Sequence, residues 1–152
     1  MIVKLKQDLT KKDIEVLITY PYRSKTVDRI VSLLESASIK IECYSDSGEK
    51  KVTFSDIDYI ESDGKAARVY CGKESYKTKY RLFQLYDKLK EKGFVQISKY
   101  CIMNINKLDT VKPLFNSRME AILSNGKRLY VTRKYLSGIR LKLQEDEYSL
   151  TN

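Results

Sequence analysis

The most informative stretch of this chain is Met119-Glu120-Ala121-Ile122-Leu123-Ser124-Asn125-Gly126-Lys127-Arg128-Leu129-Tyr130-Val131. Apolar and polar side chains alternate on both sides of Asn125-Gly126. Such a pattern predicts a β-hairpin, with a type I′ turn in which both central residues take positive φ. Further extended pieces precede it at Leu108–Pro113, Cys101–Asn104 and Phe94–Ile97, with Asn116-Ser117-Arg118 as a loop. Beyond the hairpin, Tyr135, Leu136, Ile139 and Leu143 suit a closing amphipathic helix.

Nearer the N-terminus, Ile14, Val16 and Ile18 alternate, so 13–20 reads as a strand ended by Pro21. Ser24 can cap a helix that places Val27, Ile30, Val31 and Leu34 on one face. Ile39, Ile41 and Cys43, then Val52 and Phe54, flank Ser45-Asp46-Ser47-Gly48 as a second hairpin. Ile57–Glu61 reads as a buried strand, turned by Asp63-Gly64 into Arg68–Cys71, and Glu74–Lys79 as another. Leu82, Leu85, Tyr86 and Leu89 mark one helix stopped by Gly93. The fold class is mainly β with short helices, α+β overall, preceded by a short strand–helix extension.

Composition narrows the chemistry. Of 152 residues, 29 are Lys or Arg, 20 are Asp or Glu, and none is His. No Ser-His-Asp or Cys-His pair can form, and no imidazole can ligate zinc. There is no Gly-rich phosphate loop, paired-carboxylate spacing or metal cluster, so the chain reads as a non-enzyme that needs no cofactor or metal. Cys43, Cys71 and Cys101 are an odd number with no close C-x-x-C spacing, which suits reduced thiols. Met1–Lys12 lacks an apolar block, and no apolar run reaches the roughly 20 residues of a membrane span. A cytoplasmic location is the expectation.

The net charge of +9 is unevenly spread. Residues 1–45 carry eight basic and six acidic side chains, 46–144 carry 21 and 11, and 145–152 carry three acids. Within 95–144, ten Lys or Arg face only Asp109 and Glu120. That surplus is the field of a polyanion binder, most simply a nucleic-acid binder, although a solvated basic face has the same composition. No basic recognition helix is visible, so loops or strand ends must carry any readout.

The order of these pieces resembles the LytTR DNA-binding domain across 46–143. The matching stretches are Ile57-Asp58-Tyr59-Ile60-Glu61-Ser62, then Tyr80-Arg81-Leu82-Phe83-Gln84-Leu85, then the block Gly93–Leu108 containing Ser98-Lys99-Tyr100-Cys101-Ile102-Met103-Asn104. The Asn-Gly hairpin and Thr132-Arg133-Lys134-Tyr135-Leu136 follow. The resemblance implies packed antiparallel β-sheets and loops that enter successive major grooves of double-stranded DNA. It divides the chain into an extension, 1–45, a LytTR-like domain, 46–144, and an acidic tail, 145–152, that frays. Forty-five leading residues are too few for a phosphoacceptor receiver domain, so the stand-alone type is the expectation.

By position, the resemblance nominates three reading loops. Lys65 and Arg68 belong to the first, where Ala66-Ala67 replaces the polar reader common in relatives. Ser98, Lys99 and Tyr100 form the second, with Lys99 as base reader and Asn104 behind it as structural. Thr132, Arg133 and Lys134 form the third, where Thr132 also caps the last helix and Arg133 or Lys134 reads a guanine. Arg118 is a further phosphate contact.

The twelve tyrosines invite a competing reading, an RNA or single-stranded nucleic-acid module. Most of them, including Tyr59, Tyr70, Tyr76, Tyr86 and Tyr130, fall at packing positions instead. Tyr20-Pro21-Tyr22 is left for an interface. A transcription regulator of this type is expected to occupy repeated half-sites as a homodimer, with the 1–45 extension as dimerisation element. The resemblance also implies a separate membrane-protein partner as the source of signal.

Overall fold

The computed structural model describes residues 1–151, with backbone alone for 144–151. The elements are helix α1 (Lys25–Ser38), strands β1 (Lys40–Ser45), β2 (Gly48–Thr53), β3 (Tyr59–Asp63), β4 (Ala66–Cys71) and β5 (Glu74–Thr78), and helix α2 (Leu82–Leu89). Strands β6 (Phe94–Ser98), β7 (Cys101–Asn104), β8 (Leu108–Leu114), β9 (Arg118–Leu123) and β10 (Arg128–Val131) follow, then helix α3 (Leu136–Thr151). They form a seven-stranded sheet in the order β2-β1-β5-β4-β3-β7-β6 and a three-stranded sheet in the order β10-β9-β8. Every pairing is antiparallel. The mainly β class read from the sequence is the observed one.

The large sheet is covered on both faces, which explains its central strands. Ile60 and Ile102 face one core with Val69, Phe94 and the α2 residues Leu82, Leu85 and Leu89. Their neighbours Tyr59, Cys101 and Met103 face the other core with Val95, Leu129, Val131 and the α3 residues Leu136 and Ile139. All four residues of β7 are therefore buried, and its apolar run is continuous rather than alternating. β1 and β2 see a core on one face only, and Ile41, Cys43 and Val52 alternate with exposed residues. The hairpin of β1 and β2 crosses residue 45, so part of the extension is a strand of the domain's own sheet.

One buried carboxylate ties the layers together. Asp58 accepts from the Gly72 amide at 2.6 Å and from Asn125 Nδ2 at 3.1 Å, linking the β4–β5 turn to the β9–β10 turn. Asn104 is structural, as expected, since its Nδ2 donates to the Ile57 carbonyl and its Oδ1 accepts from the Asn106 amide. Gly93, after α2, has φ +87°, and a Cβ there would lie 2.7 Å from Asn106 Nδ2.

Three sequence expectations need correction. The β9–β10 hairpin forms, but not on a type I′ turn, because Gly126 has φ +87° while Asn125 keeps negative φ. The Leu123 amide donates to the Lys127 carbonyl and the Gly126 amide to the Leu123 carbonyl, a longer loop with glycine in the left-handed position. Residues 13–20 enter no ladder: alternation reports a two-faced segment but not the presence of a partner, and no sheet edge of this chain receives it. The α3 backbone runs through Thr151. Tyr130, expected to pack, lies 56% exposed on the outer face of β10.

Helix α1 begins as expected, with Ser24 Oγ accepting from the Val27 amide. It lies against the Phe54–Asp56 turn, β2 and α3. Ser32 Oγ donates to the Glu91 carbonyl, and Glu35 pairs with Lys92. Val27 is buried and Ile30 and Val31 half-buried, whereas Leu33 and Leu34 remain exposed. Most of the helix's apolar face is spent on its own domain.

Candidate nucleic-acid interface

The nominated loops lie at strand ends, and the register brings those ends together. The first loop joins β3 to β4, the second joins β6 to β7, and the third follows β10. The Ser62 amide donates to the Tyr100 carbonyl at 2.8 Å, locking the first loop to the second. The Thr132 amide donates to the Ile97 carbonyl at 2.9 Å, locking the third to the end of β6. Met119 faces Val131 across β9 and β10, so Arg118 stands beside the third loop. A single edge of the molecule thus carries Lys65, Lys99, Arg118, Arg133 and Lys134, all exposed.

Local chemistry fixes each loop. Asp63 pairs with Ala66, leaving Gly64-Lys65 as a two-residue loop with Gly64 at φ +65° and Lys65 at its tip. Ser98 Oγ accepts from the Tyr100 amide at 3.2 Å, and the ladder slips between Gln96 and Ser98, so Lys99 and Tyr100 project from a bulged turn. Lys99 Nζ rests 5.5 Å from the Tyr100 ring centroid, and Lys134 Nζ 5.7 Å from that of Tyr135. These cation–π contacts tie each lysine to the aromatic ring that follows it in its own loop.

Two nominated residues behave differently from the expectation. Thr132 occupies the N-cap position of the Arg133–Tyr135 turn, but its side chain does not cap it. Its Oγ1 points to the Ile97 carbonyl at 3.5 Å, because that acceptor already receives the Thr132 amide. Arg68 is half-buried, with Nη1 donating to Ser75 Oγ at 3.1 Å and Nε 3.6 Å from Asp63. Of the nine, Arg68 is the residue most committed to internal contacts.

Further residues join this edge that the sequence did not single out. Arg81 and Phe83, at the start of α2, line a shallow hollow of about 360 Å³ together with Ser62, Lys65, Lys99 and Tyr100. Phe83 is 62% exposed because it falls off the Leu82, Leu85, Leu89 spacing, and that offset was its only sequence signal. Phe115 is 93% exposed in the loop before Arg118, where Asn116 and Ser117 take φ 64° and 56°. Consecutive left-handed non-glycine residues carry no mark in a sequence.

The thiols are placed away from any chemistry. Burial pushes Cys43 up to about 11 and, with Asp58 nearby, Cys71 up to about 12, and it raises Cys101 as well. Among the described residues, no group of three or more His, Cys, Asp or Glu side chains could hold a metal ion. No helix of the described residues is long and apolar enough to cross a membrane.

The chain is a domain of antiparallel β-sheets whose loops gather basic side chains on one edge. The family model of the LytTr DNA-binding domain matches residues 48–144, and the chain belongs to that family. Sensory transduction protein LytT of Bacillus anthracis is 32% identical over 94 residues, covering 61% of this chain and 38% of that protein. LytT of Enterococcus faecalis is 26% identical over 88 residues, covering 58% and 36%. The chain thus spans well under half the length of these relatives. A solved LytTr DNA-binding domain from Bacillus cereus superposes with a TM-score of 0.64 at 25% identity, covering 68% of this chain and 95% of that one.

Proposed function

We propose that this chain is a sequence-specific regulator of transcription that reads double-stranded DNA through loops in successive major grooves, bound as a homodimer to repeated half-sites. The observation that carries the reading is the gathering of Lys65, Lys99, Arg118, Arg133 and Lys134 on one edge by the Ser62–Tyr100 and Thr132–Ile97 hydrogen bonds. Lysines and arginines on short, braced turns suit both phosphate neutralisation and guanine contact. Lys99 and either Arg133 or Lys134 read bases. Lys65, Ser98, Tyr100, Arg118 and Thr132 position the backbone, and Arg68 holds the first loop in shape.

Selection of bound fragments from genomic DNA, followed by competition between duplex and single-stranded probes, tests this reading. A repeated duplex motif that single strands fail to compete away is the expected result. Equal or better binding of single strands would instead favour the exposed Phe83, Tyr100 and Phe115 as stacking platforms.

A further inference from the structure

The hollow at the start of α2 combines apolar and cationic side chains. Phe83 and Tyr100, 62% and 60% exposed, line it together with half-buried Ala66. Lys65, Arg81 and Lys99 line it too, all of them exposed, and among the described residues no Asp or Glu does. A single exposed phenylalanine means little on a protein surface. Two exposed rings and a methyl side chain in one concavity, with three cations around them, match a polyanion that also offers an apolar group.

Each wall of the hollow is fixed by local structure. Helix α2 buries Leu82, Leu85 and Leu89, so Phe83, one residue past Leu82, is turned about 100° off the core face. The Arg81 amide donates to Gln84 Oε1 at 2.9 Å, which sets the first turn of the helix and with it Phe83. Ala66 opens β4 opposite Asp63, while its neighbour Ala67 is buried, so Ala66 is the one of the pair that reaches the hollow. The Ser62–Tyr100 hydrogen bond brings the second loop alongside. Gln96, the side-chain amide of the lining, donates its Nε2 to the Ser98 carbonyl at 3.1 Å.

In a major groove the base pairs differ in hydrogen-bond donors and acceptors, and thymine adds one apolar feature, its 5-methyl group. Carbon side chains such as Ala66 and Phe83 have no donor or acceptor with which to tell other base edges apart, so the methyl is what they can recognise. We propose that the hollow receives the 5-methyl group of a thymine, read by Phe83 and Ala66. Lys65 and Arg81 beside it suit the neighbouring phosphates. This rests on the duplex-reading function above and gives the first loop a base preference that needs no polar reader.

The test is a uracil scan of the duplex recovered by genomic selection, in which each thymine in turn is replaced by deoxyuridine. That exchange removes the methyl and leaves base pairing intact. Wild type is expected to lose about 4-fold in affinity at one thymine of a half-site, the value of burying one methyl group. Phe83→Ala should bind the thymine and uracil duplexes alike at that position, and Phe83→Leu, which keeps an apolar side chain, should retain the discrimination. Both variants should keep the wild-type melting temperature, since Phe83 belongs to neither core. Equal binding of thymine and uracil at every position overturns the inference, and so does discrimination that persists in Phe83→Ala. A platform that merely stacks bases would give the first of these results. A wild type that prefers its duplex but ignores the methyl overturns this inference alone, whereas one that prefers no duplex overturns the regulator reading and this inference with it.

Discussion

At the residue scale, the loop edge divides its basic side chains into exposed ones and ones braced by internal contacts. Lys99 sits at the tip of a bulged turn, whereas Arg68 is held by Ser75 and Asp63. Lys99→Ala should cost about 1–3 kcal/mol at particular base positions of a selected site, and Lys65→Ala should weaken all sequences alike with a shallower salt slope. Base-by-base competition in fluorescence anisotropy separates the two patterns. The thiols supply a pH prediction. Cys43 has its ordinary value of 9.0 raised to about 11 by burial, so above pH 9 the unfolded chain releases a proton that the folded chain retains. Its contribution to stability is complete below about pH 9 and is lost as pH rises through 11. Urea melts between pH 8 and 11 should fall less steeply in Cys43→Ala than in wild type. Lys99, Arg118 and Lys134 were named as candidates through the loop positions of the LytTR resemblance. The internal commitment of Arg68 was not legible in the sequence, because Ser75 reaches it only through β-register.

At the scale of elements, the turns and alternations of the domain were legible and their partners only partly so. Ile41, Cys43, Val52 and Phe54 predicted a hairpin whose apolar face is buried, and that hairpin forms. Ile14, Val16 and Ile18 carry the same alternation and have no strand partner among the described residues, since a period of two says nothing about what lies alongside. The Asn125-Gly126 turn was found but mistyped, because Asn125 is recruited by buried Asp58 and by the Lys127 amide. Asp58 itself gave no signal, being one acid among twenty. Asp58→Ala should cost about 2–3 kcal/mol, as it leaves the Gly72 amide and Asn125 Nδ2 without their acceptor. The midpoint of urea unfolding checks this, and a change below about 0.5 kcal/mol would remove Asp58 from its linking role.

At the scale of the whole molecule, charge and apolar surface are segregated. The basic loops share one edge, and ten of the eighteen exposed large apolar side chains of the described residues lie in the first 22 positions. A protein organised this way should lose affinity for duplex DNA steeply with salt, with log K falling linearly against log salt at about 0.9 per phosphate neutralised. Removing Lys65 should lessen that slope by about one. The central claim is that the loop edge recognises duplex sequence, and the most direct test is a competition titration on the fragment recovered by genomic selection. Wild type should prefer that duplex over its separated strands and over scrambled duplex by at least ~100-fold, and Lys99→Ala together with Arg133→Ala and Lys134→Ala should erase most of the preference. Equal affinity for all three probes, or a preference that survives the three substitutions together, would contradict the account.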